Sequence, residues 1–251
     1  MLFLDYDGTL TPIVARPEMA VLSSQARDTL KQISHHSLFK LAIISGRSLS
    51  EIKARVGLEN IAYAGNHGLE IECPPCYCRE RSPETTTFIH PIAKEFKPAL
   101  KGLEQRLRVR LADINGVIIE NKGLTLSVHY RLVKETEIER VRELFLKAID
   151  YGHARDKLQV SEGKKVLEMR PSVEWNKGKA IERLLEIYGT PRSLPIFAGD
   201  DVTDEDGFRV LRTVGGISIF VGEDKASSAA DYYLDSPELL CHWLGKLSEG
   251  R

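Results

Sequence analysis

The chain has 251 residues, of which 42% are hydrophobic and 28% are charged, and its formal net charge is -1. These values are typical of a soluble globular protein with one large domain, or with a core domain that carries a smaller one. The near-neutral charge excludes a global field that would favour nucleic acid or an anionic membrane. No apolar run approaches the length of a transmembrane helix.

The first residues do not match a signal peptide, because a basic leader, a long apolar core and a cleavage site are absent. We therefore expect a cytoplasmic protein whose four cysteines are thiols. Cys73, Cys76 and Cys78 lie close together and could hold zinc with a further ligand such as His90. The two Cys-x-x-Cys pairs of common zinc sites are absent, so a loop of thiols is the favoured interpretation.

The apolar run Leu2–Leu4 ends in two carboxylates, Asp5 and Asp7, and Gly8 follows. The run is typical of a buried strand, and residues two apart in an extended chain point the same way. Two neighbouring carboxylates are unfavourable unless a cation lies between them or one keeps its proton. Either outcome is useful, as a site for a hard cation or as a nucleophile beside a general acid/base. A solvated turn and a calcium loop are alternatives, but the calcium loop needs a glutamate where this chain has Arg16.

Helices and strands alternate after this first strand. The predicted elements are a helix from Ser23 or Ser24 to about His35 or His36, a strand Phe39–Ile44, a helix from Ser48 to Gly57 and a strand Ile61–Ala64. This alternation predicts a parallel sheet with right-handed crossovers. Each strand is followed by polar or glycine residues: Asp5–Thr9, Ser45–Arg47 and Gly65–Gly68. Ligands gather at this edge of parallel sheets, so these stretches indicate a single site.

The pattern changes between about Ala93 and Pro171. The predicted elements are a helix over 93–111, strands over 117–120 and 124–132, a helix over 136–150, and a hairpin of 158–161 and 165–169 with a turn at Glu162-Gly163. They predict an inserted α+β unit with an antiparallel sheet. Strand alternation groups polar side chains on shared faces: Thr125, Ser127, His129 and Arg131 in one strand, and Lys164, Glu168 and Arg170 in another. Such a face meets either water or a polar ligand.

The alternating pattern resumes at Trp175. A helix is predicted over 178–188, with Asn176 as a plausible N-cap, and a buried strand over 195–198. The strand runs into Gly199–Asp206, where five of the seven residues from Asp200 onward are acidic, and this density favours a cation site. Strands over 217–221 and 232–234 and a helix over 237–247 complete the prediction. We therefore predict an α/β fold: a parallel doubly wound sheet in a core of residues 1–92 and 172–251, with an inserted α+β cap of residues 93–171.

The ordered strand ends resemble the four signatures of the haloacid dehalogenase superfamily of phosphohydrolases. The matching residues are Asp5-Tyr6-Asp7-Gly8-Thr9, Ser45, Lys177 and Gly199-Asp200-Asp201 with Asp204. Longer stretches are similar to the trehalose-6-phosphate phosphatase family: Asp5–Ile13, Ile44–Arg47, Gly65–Gly68 and Gly199–Glu205. The resemblance implies a haloacid dehalogenase-like core, a cap, Mg2+ and a disaccharide phosphate substrate.

The residues also suit this chemistry. Asp5 would attack phosphorus and form an aspartyl phosphate. Mg2+ would neutralise both anions, held by Asp5, by Asp200 and, from the resemblance, by the backbone carbonyl of Asp7. Asp7 would protonate the departing sugar oxygen and then accept a proton from water.

Four further residues would support these steps. Ser45 would donate a hydrogen bond to a phosphoryl oxygen, and Lys177 would stabilise the developing charge. Asp201 and Asp204 would orient the waters of the metal or Lys177.

The resemblance also assigns residues to the sugar. Four matching cap residues are Lys122, Arg131, Lys164 and Glu168. Further candidates for substrate binding are Arg47, His67, His129 and Asn176, with loop and helix capping as the alternative for His67 and Asn176.

Rival functions come from other classes. They are a phosphatase for sucrose phosphate or glucosylglycerol phosphate, a sugar phosphomutase, and a catalytically inactive regulatory module. The intact Asp5 and Asp7 argue against the inactive module. We expect a monomer without nucleic-acid or membrane partners, which shares a pathway with a trehalose-6-phosphate synthase.

Overall fold

The computed structural model describes residues 1–75, 85–149, 158–223 and 228–249. The chain divides into two compact units. The core unit comprises Met1–Phe88 and Trp175–Arg251, and the cap unit comprises Ile89–Glu174. The boundaries expected from the sequence, at 92/93 and 171/172, lie close to these divisions.

The strands of the described residues are β1 (Leu2–Leu4), β2 (Leu41–Ile44), β3 (Ala62–Gly65), β4 (Glu70–Cys73), β5 (Thr86–Ile89), β6 (Ile118–Asn121), β7 (Leu126–His129), β8 (Leu158–Gly163), β9 (Val166–Pro171), β10 (Ile196–Gly199), β11 (Ile217–Val221) and β12 (Tyr232–Leu234). The α-helices are α1 (Ser24–His35), α2 (Leu49–Val56), α3 (Pro91–Glu95), α4 (Lys97–Arg110), α5 (Ile138–Ile149), α6 (Lys177–Tyr188), α7 (Glu205–Thr213) and α8 (Pro237–Glu249). None of these helices is long and apolar enough to cross a bilayer.

The core unit is built on an eight-stranded sheet with the order β12-β11-β10-β1-β2-β3-β4-β5. The strands from β12 to β3 run parallel, which confirms the predicted doubly wound sheet. Successive residues of β1 face opposite sides of this sheet. Leu4 packs in one apolar cluster with α1 and α8, whereas Phe3 packs in a second cluster with α6 and α7. The sheet is therefore covered on both faces, as parallel sheets require.

The sequence analysis missed β4, which pairs antiparallel with β3. Its residues alternate, with Ile71 and Cys73 buried and Glu70 and Glu72 half-buried. Cys73 therefore belongs to a strand of the core sheet. The other two cysteines of the candidate zinc cluster, Cys76 and Cys78, fall outside the described residues.

The cap unit has a four-stranded antiparallel sheet with the order β6-β7-β9-β8. Helices α4 and α5 share one apolar cluster with this sheet, to which Leu103, Phe145, Val128 and Met169 belong. The inserted antiparallel α+β unit predicted from the sequence is thus confirmed.

Two local predictions in the cap unit were wrong. The single helix expected over 93–111 is divided into α3 and α4 at Phe96. Pro98 explains the division, because proline lacks an N–H and fits only the first turn of a helix. The hairpin turn expected at Glu162-Gly163 lies at Lys164-Lys165, where Lys165 has φ 66°. Lys164 therefore lies in the turn and does not share a strand face with Glu168.

Candidate active site

The site residues of the core unit follow adjacent strands of the sheet. Asp5 follows β1, Ser45 follows β2, and Asp200 follows β10, which neighbours β1 on its other side. The parallel ladder continues to these ends, because Asp5 N donates to the carbonyl of Ala198 at 2.9 Å. The shared edge predicted from the sequence therefore brings these side chains together.

Three carboxylates form the centre of this edge. Asp5, Asp200 and Asp204 are all buried, and each offers an oxygen that lies within 4.8 Å of the others. Thr9 Oγ1 donates to Asp200 Oδ1 at 3.2 Å. Gly8 has φ 90°, and a Cβ at this position would lie 2.1 Å from Asp200 Oδ2. Gly8, which has no side chain, therefore leaves room for the carboxylate of Asp200.

Lys177, the first residue of α6, joins two of these carboxylates. Its Nζ donates to Asp5 Oδ1 at 2.8 Å and to Asp204 Oδ1 at 2.7 Å. Burial alone would lower the pKa of Lys177, but the charges of Asp204 and Asp5 outweigh it and raise this pKa. Burial raises the pKa of Asp5 well above its usual value, and the nearby Asp204 and Asp200 add to this effect while Lys177 opposes it.

The charge of this cluster fits a divalent cation. When all three carboxylates are ionised, they and the one ammonium leave an excess of two negative charges. The two oxygens of Asp204 accept from Lys177 and from the backbone N–H groups of Asp200 and Asp201, the latter two at 3.0 Å. Asp204 therefore orients Lys177 and the backbone of the loop that follows β10. Asp5 and Asp200 remain the candidates for direct metal contact. Asp201 caps the 3-10 helix Val202–Asp204 with its side chain.

Asp7 has a cationic partner of its own. Arg47 Nε donates to Asp7 Oδ2 at 2.7 Å, and Arg47 Nη2 donates to Asp7 Oδ1 at 2.7 Å. The sequence analysis expected either a cation between Asp5 and Asp7 or a proton on one of them. In the structure each carboxylate also has a basic partner of its own, Lys177 for Asp5 and Arg47 for Asp7, and the cation stays a prediction.

Arg47 was expected to contact substrate, but the structure gives its side chain other partners. Besides Asp7, the guanidinium donates to Glu51 and to the carbonyl of Pro17, and it lies over the ring of Tyr6. The side chain of Arg47 is only 6% exposed. Arg47 therefore binds Asp7 in this structure, and a substrate contact of Arg47 stays a prediction.

Ser45 and His67 lie in neighbouring loops. Ser45 is buried, and its Oγ accepts from the backbone N–H of Arg47 at 3.1 Å. His67 has φ 57°, and its N–H donates to the carbonyl of Ser45 at 2.9 Å. A Cβ on Gly46 would lie 2.8 Å from His67 Nε2, so the imidazole packs directly on the loop that follows β2. Asn176 is the N-cap of α6, as predicted, because its Oδ1 accepts from Lys179 N at 2.9 Å.

The cap unit brings two of its predicted residues together. Glu168 Oε1 accepts from Lys122 Nζ at 3.1 Å and from Ser127 Oγ at 3.2 Å. The side chains of Lys122 and Glu168 are each 9% exposed. Ser127 lies opposite Glu168 in the register of β7 and β9, which explains their contact.

The other predicted cap residues form a second group. His129 Nε2 lies 2.9 Å from Glu120 Oε2, and Arg131 Nη2 donates to the carbonyl of Lys164 at 2.6 Å. The sequence analysis missed Glu120, although its parity in β6 places it beside Ser127. Two members of the core site were also missed: Thr9, whose partner Asp200 lies far along the chain, and Glu51, whose partners Arg47 and Arg55 each lie four residues away.

Comparisons with known proteins agree with this architecture. The family model of trehalose-phosphatase matches residues 3–238. Trehalose 6-phosphate phosphatase RA3 of Zea mays is 38% identical over 257 residues, which cover 99% of this chain and 69% of that protein. The solved C-terminal domain of C. albicans trehalose-6-phosphate phosphatase has a TM-score of 0.81 at 25% identity and covers 99% of this chain and 92% of that one. A haloacid dehalogenase-like hydrolase from Bacteroides thetaiotaomicron shares the fold, with a TM-score of 0.64 at 18% identity, covering 98% of each chain.

The doubly wound sheet, the inserted cap and the acidic edge with its lysine thus define a protein of the haloacid dehalogenase-like fold. Within this class, the matched family model and the 38% identity to RA3 over 99% of this chain show that the chain belongs to the trehalose-phosphatase family of enzymes.

Proposed function

We propose that this enzyme hydrolyses trehalose 6-phosphate to trehalose and inorganic phosphate, with Mg2+ and through an aspartyl phosphate on Asp5. The observation that carries the proposal is the buried cluster in which Lys177 bridges Asp5 and Asp204 beside Asp200. The names of the relatives support trehalose 6-phosphate as the substrate.

The donor set fits Mg2+, which prefers carboxylate and carbonyl oxygens. Asp5 and Asp200 would hold the ion together with the backbone carbonyl of Asp7. When bound, it supplies the positive charge that lets a phosphate dianion approach a carboxylate.

In the first step, a carboxylate oxygen of Asp5 attacks phosphorus. The bond between phosphorus and the sugar oxygen breaks, its electron pair stays on the sugar oxygen, and Asp7 supplies the proton that this oxygen needs. Lys177 is fully charged beside Asp5 and stabilises the negative charge of the phosphoryl oxygens, with a hydrogen bond from Ser45. Trehalose leaves, and Asp5 carries the phosphoryl group.

In the second step, water attacks the phosphorus of the aspartyl phosphate. Asp7, which is now unprotonated, accepts a proton from this water. The bond between phosphorus and the Asp5 oxygen breaks and restores the carboxylate, and inorganic phosphate leaves. One residue thus serves as acid and then as base, so no net proton accumulates on the enzyme.

Specificity for the sugar requires contacts beyond the phosphate. We assign this role to the cap residues, of which Lys122 and Glu168 form a buried pair with Ser127. Polar groups of this kind discriminate strongly, because an analogue that lacks a matching hydroxyl leaves a buried group unsatisfied. The half-buried His129–Glu120 pair and the Arg131 side chain offer further hydrogen-bonding groups.

A phosphate-release screen tests the proposal. The purified enzyme is assayed with trehalose 6-phosphate, sucrose phosphate, glucosylglycerol phosphate and glucose 6-phosphate, in Mg2+ and after exhaustive chelation. We expect the highest kcat/KM for trehalose 6-phosphate and loss of activity after chelation. A preference for another ester, isomerisation without phosphate release, or no turnover would each favour one of the rival functions. Full activity without metal would refute the proposed role of Mg2+.

We also propose that the enzyme acts as a monomer in the cytoplasm and takes its substrate from a trehalose-6-phosphate synthase. The near-neutral net charge agrees with a small-molecule substrate. Light scattering during size-exclusion chromatography tests the monomer, and a dimer mass would contradict it.

A further inference from the structure

The contacts of Arg47 are more extensive than a simple ion pair requires. An arginine offers five N–H donors in a planar fork. Four are engaged here: Nε and one Nη2 donor with Asp7, the second Nη2 donor with the carbonyl of Pro17 at 2.8 Å, and one Nη1 donor with Glu51. The guanidinium carbon also lies 5.6 Å from the centre of the Tyr6 ring. The guanidinium is therefore fixed from several directions before any substrate binds.

The backbone of Arg47 is fixed as well. Its N–H donates to Ser45 Oγ at 3.1 Å, and its carbonyl accepts from Asn66 N at 2.7 Å. These bonds tie it to the loops that follow β2 and β3.

Glu51 completes the arrangement from α2. Its Oε1 accepts from Arg47 and also from Arg55 Nε at 2.8 Å. Arg55 in turn donates to the carbonyl of Ala20 at 3.0 Å, to which Tyr6 also donates at 3.1 Å. The network thus connects Asp7 to a rigid helix and to the segment that precedes α1.

Asp7 itself needs such support. It follows the strand end and its side chain is 42% exposed, so neighbouring side chains do not enclose it. A carboxylate with this exposure would sample several rotamers. Two parallel hydrogen bonds from a planar guanidinium fix both its position and its plane, which a single bond to lysine cannot do.

We propose that Arg47, oriented by Glu51, is a positioning residue that holds the Asp7 carboxylate in place for its proton transfers. The inference rests on the proposed function in one respect only, namely that Asp7 acts as the general acid/base. Arg47 contacts no reacting atom in this account and acts through Asp7.

The dependence of the rate on the leaving group distinguishes a residue that positions Asp7 from one that only stabilises the fold. An acid is needed most when the leaving oxygen is basic, as in a sugar or an alkyl alcohol, and least when it is acidic. Phenol has a pKa of about 10, like tyrosine, and p-nitrophenol is considerably more acidic. Phenyl phosphate and p-nitrophenyl phosphate therefore differ in their need for Asp7, although neither contains a sugar.

The experiment measures kcat/KM for both esters at saturating Mg2+ with the wild-type enzyme and with Arg47→Lys and Glu51→Gln. The quantity kcat/KM reports only the steps up to transfer of the phosphoryl group, so the later hydrolysis does not enter. We expect Arg47→Lys to lower kcat/KM for phenyl phosphate by about 10- to 100-fold, because a small misplacement of a catalytic group has this effect. The loss for p-nitrophenyl phosphate is expected within about threefold, since general acid catalysis then contributes little. Glu51→Gln should act in the same direction with a smaller effect.

Two controls make the outcome specific. Lys53→Gln changes another basic residue of α2, which pairs with Glu72 and does not belong to this network, and should leave the ratio of the two esters unchanged. In an Asp7→Asn background, Arg47→Lys should cause no further change in this ratio. If Arg47→Lys does not fold, Glu51→Gln carries the test, with melting curves recorded for every variant.

The positioning role is overturned by equal losses on both esters, by an effect confined to KM, or by an equal effect of Lys53→Gln. Because both esters lack a sugar, this result is independent of the substrate assignment. A failure of trehalose 6-phosphate in the phosphate-release screen would overturn the proposed function and leave the positioning of Asp7 to be decided by the two esters.

Discussion

The buried ammonium of Lys177 permits a prediction about stability before any activity is measured. Lys177→Met replaces a charged side chain with an apolar one of similar length in a helix. It leaves Asp5, Asp200 and Asp204 buried together without the ammonium that now bridges two of them. Removing one partner of a buried ion pair costs about 3–5 kcal/mol, because the remaining charge is uncompensated. For a protein of this size that loss lowers Tm by roughly 6–20 °C in a metal-free buffer.

The same reasoning predicts how cations and protons change the loss. Mg2+ replaces the missing positive charge, so it should raise the Tm of the variant more than that of the wild type. Burial holds the pKa of Asp5 above its usual value, and Lys177 opposes that rise. In the variant this pKa rises further. In acid both the folded and the unfolded protein carry a proton on Asp5, so the missing ammonium costs little. At higher pH the unfolded chain loses this proton, and the folded protein must either take one up or hold a buried negative charge. The deficit should therefore be small in acid and should grow as the pH rises above about 4, the ordinary value for aspartate.

The assay is thermal unfolding followed by circular dichroism, from pH 4 to pH 9, with chelator and with Mg2+. Lys179→Met is the matched control, since Lys179 lies on the same helix and pairs with Glu182 at the surface. Exposed pairs of this kind contribute at most about 1 kcal/mol. A deficit for Lys177→Met no larger than that of the control, or a Mg2+ response no greater than that of the wild type, would refute the electrostatic reasoning.

Two further predictions concern the cap and the metal. Glu168→Ala removes the carboxylate that binds Lys122. It should lower kcat/KM for trehalose 6-phosphate by about two to three orders of magnitude, while kcat/KM for p-nitrophenyl phosphate changes only a few-fold. Equal losses in a kinetic comparison of the two esters would contradict sugar recognition by the cap. Gly8→Ala introduces a Cβ 2.1 Å from Asp200 Oδ2 and should weaken Mg2+ binding at least about tenfold in calorimetry. Gly215→Ala is its control, because Gly215 also has a positive φ but open space around its Cβ position. This control should lose roughly 1–2 kcal/mol of stability and keep its Mg2+ affinity. Unaltered Mg2+ affinity in Gly8→Ala would contradict the metal assignment.

The features that could be predicted from the sequence depend on local patterns. The strand ends at Asp5, Ser45 and Asp200 can be recognised because each follows a short and mostly buried apolar run. Once a parallel sheet was inferred, their convergence at one edge followed from topology alone. The helix starts at Ser48 and Asn176 were equally local, since an N-cap side chain bonds the backbone two or three residues later.

The features that could not be predicted depend on distant partners. The spacing of Asp5 and Asp7 indicates a close pair of charges, but it does not reveal that Arg47, forty residues further on, binds Asp7. Lys164 was placed on the wrong surface because the hairpin turn was assigned to Gly163. The structure instead gives the left-handed backbone conformation to Lys165, against the preference of non-glycine residues.

The central claim is that Asp5 carries the phosphoryl group of trehalose 6-phosphate during turnover. The most direct measurement is a rapid-quench experiment in which excess wild-type enzyme, with Mg2+, meets trehalose 6-phosphate and is stopped in acid within milliseconds. Peptide mass spectrometry then locates any added phosphoryl group, with well-folded Asp5→Asn as the comparison. We predict a transient phosphoryl group on Asp5 that appears as trehalose is released and is absent in Asp5→Asn. Release of trehalose without any phosphorylated Asp5, or substantial phosphate release by Asp5→Asn, would contradict the account.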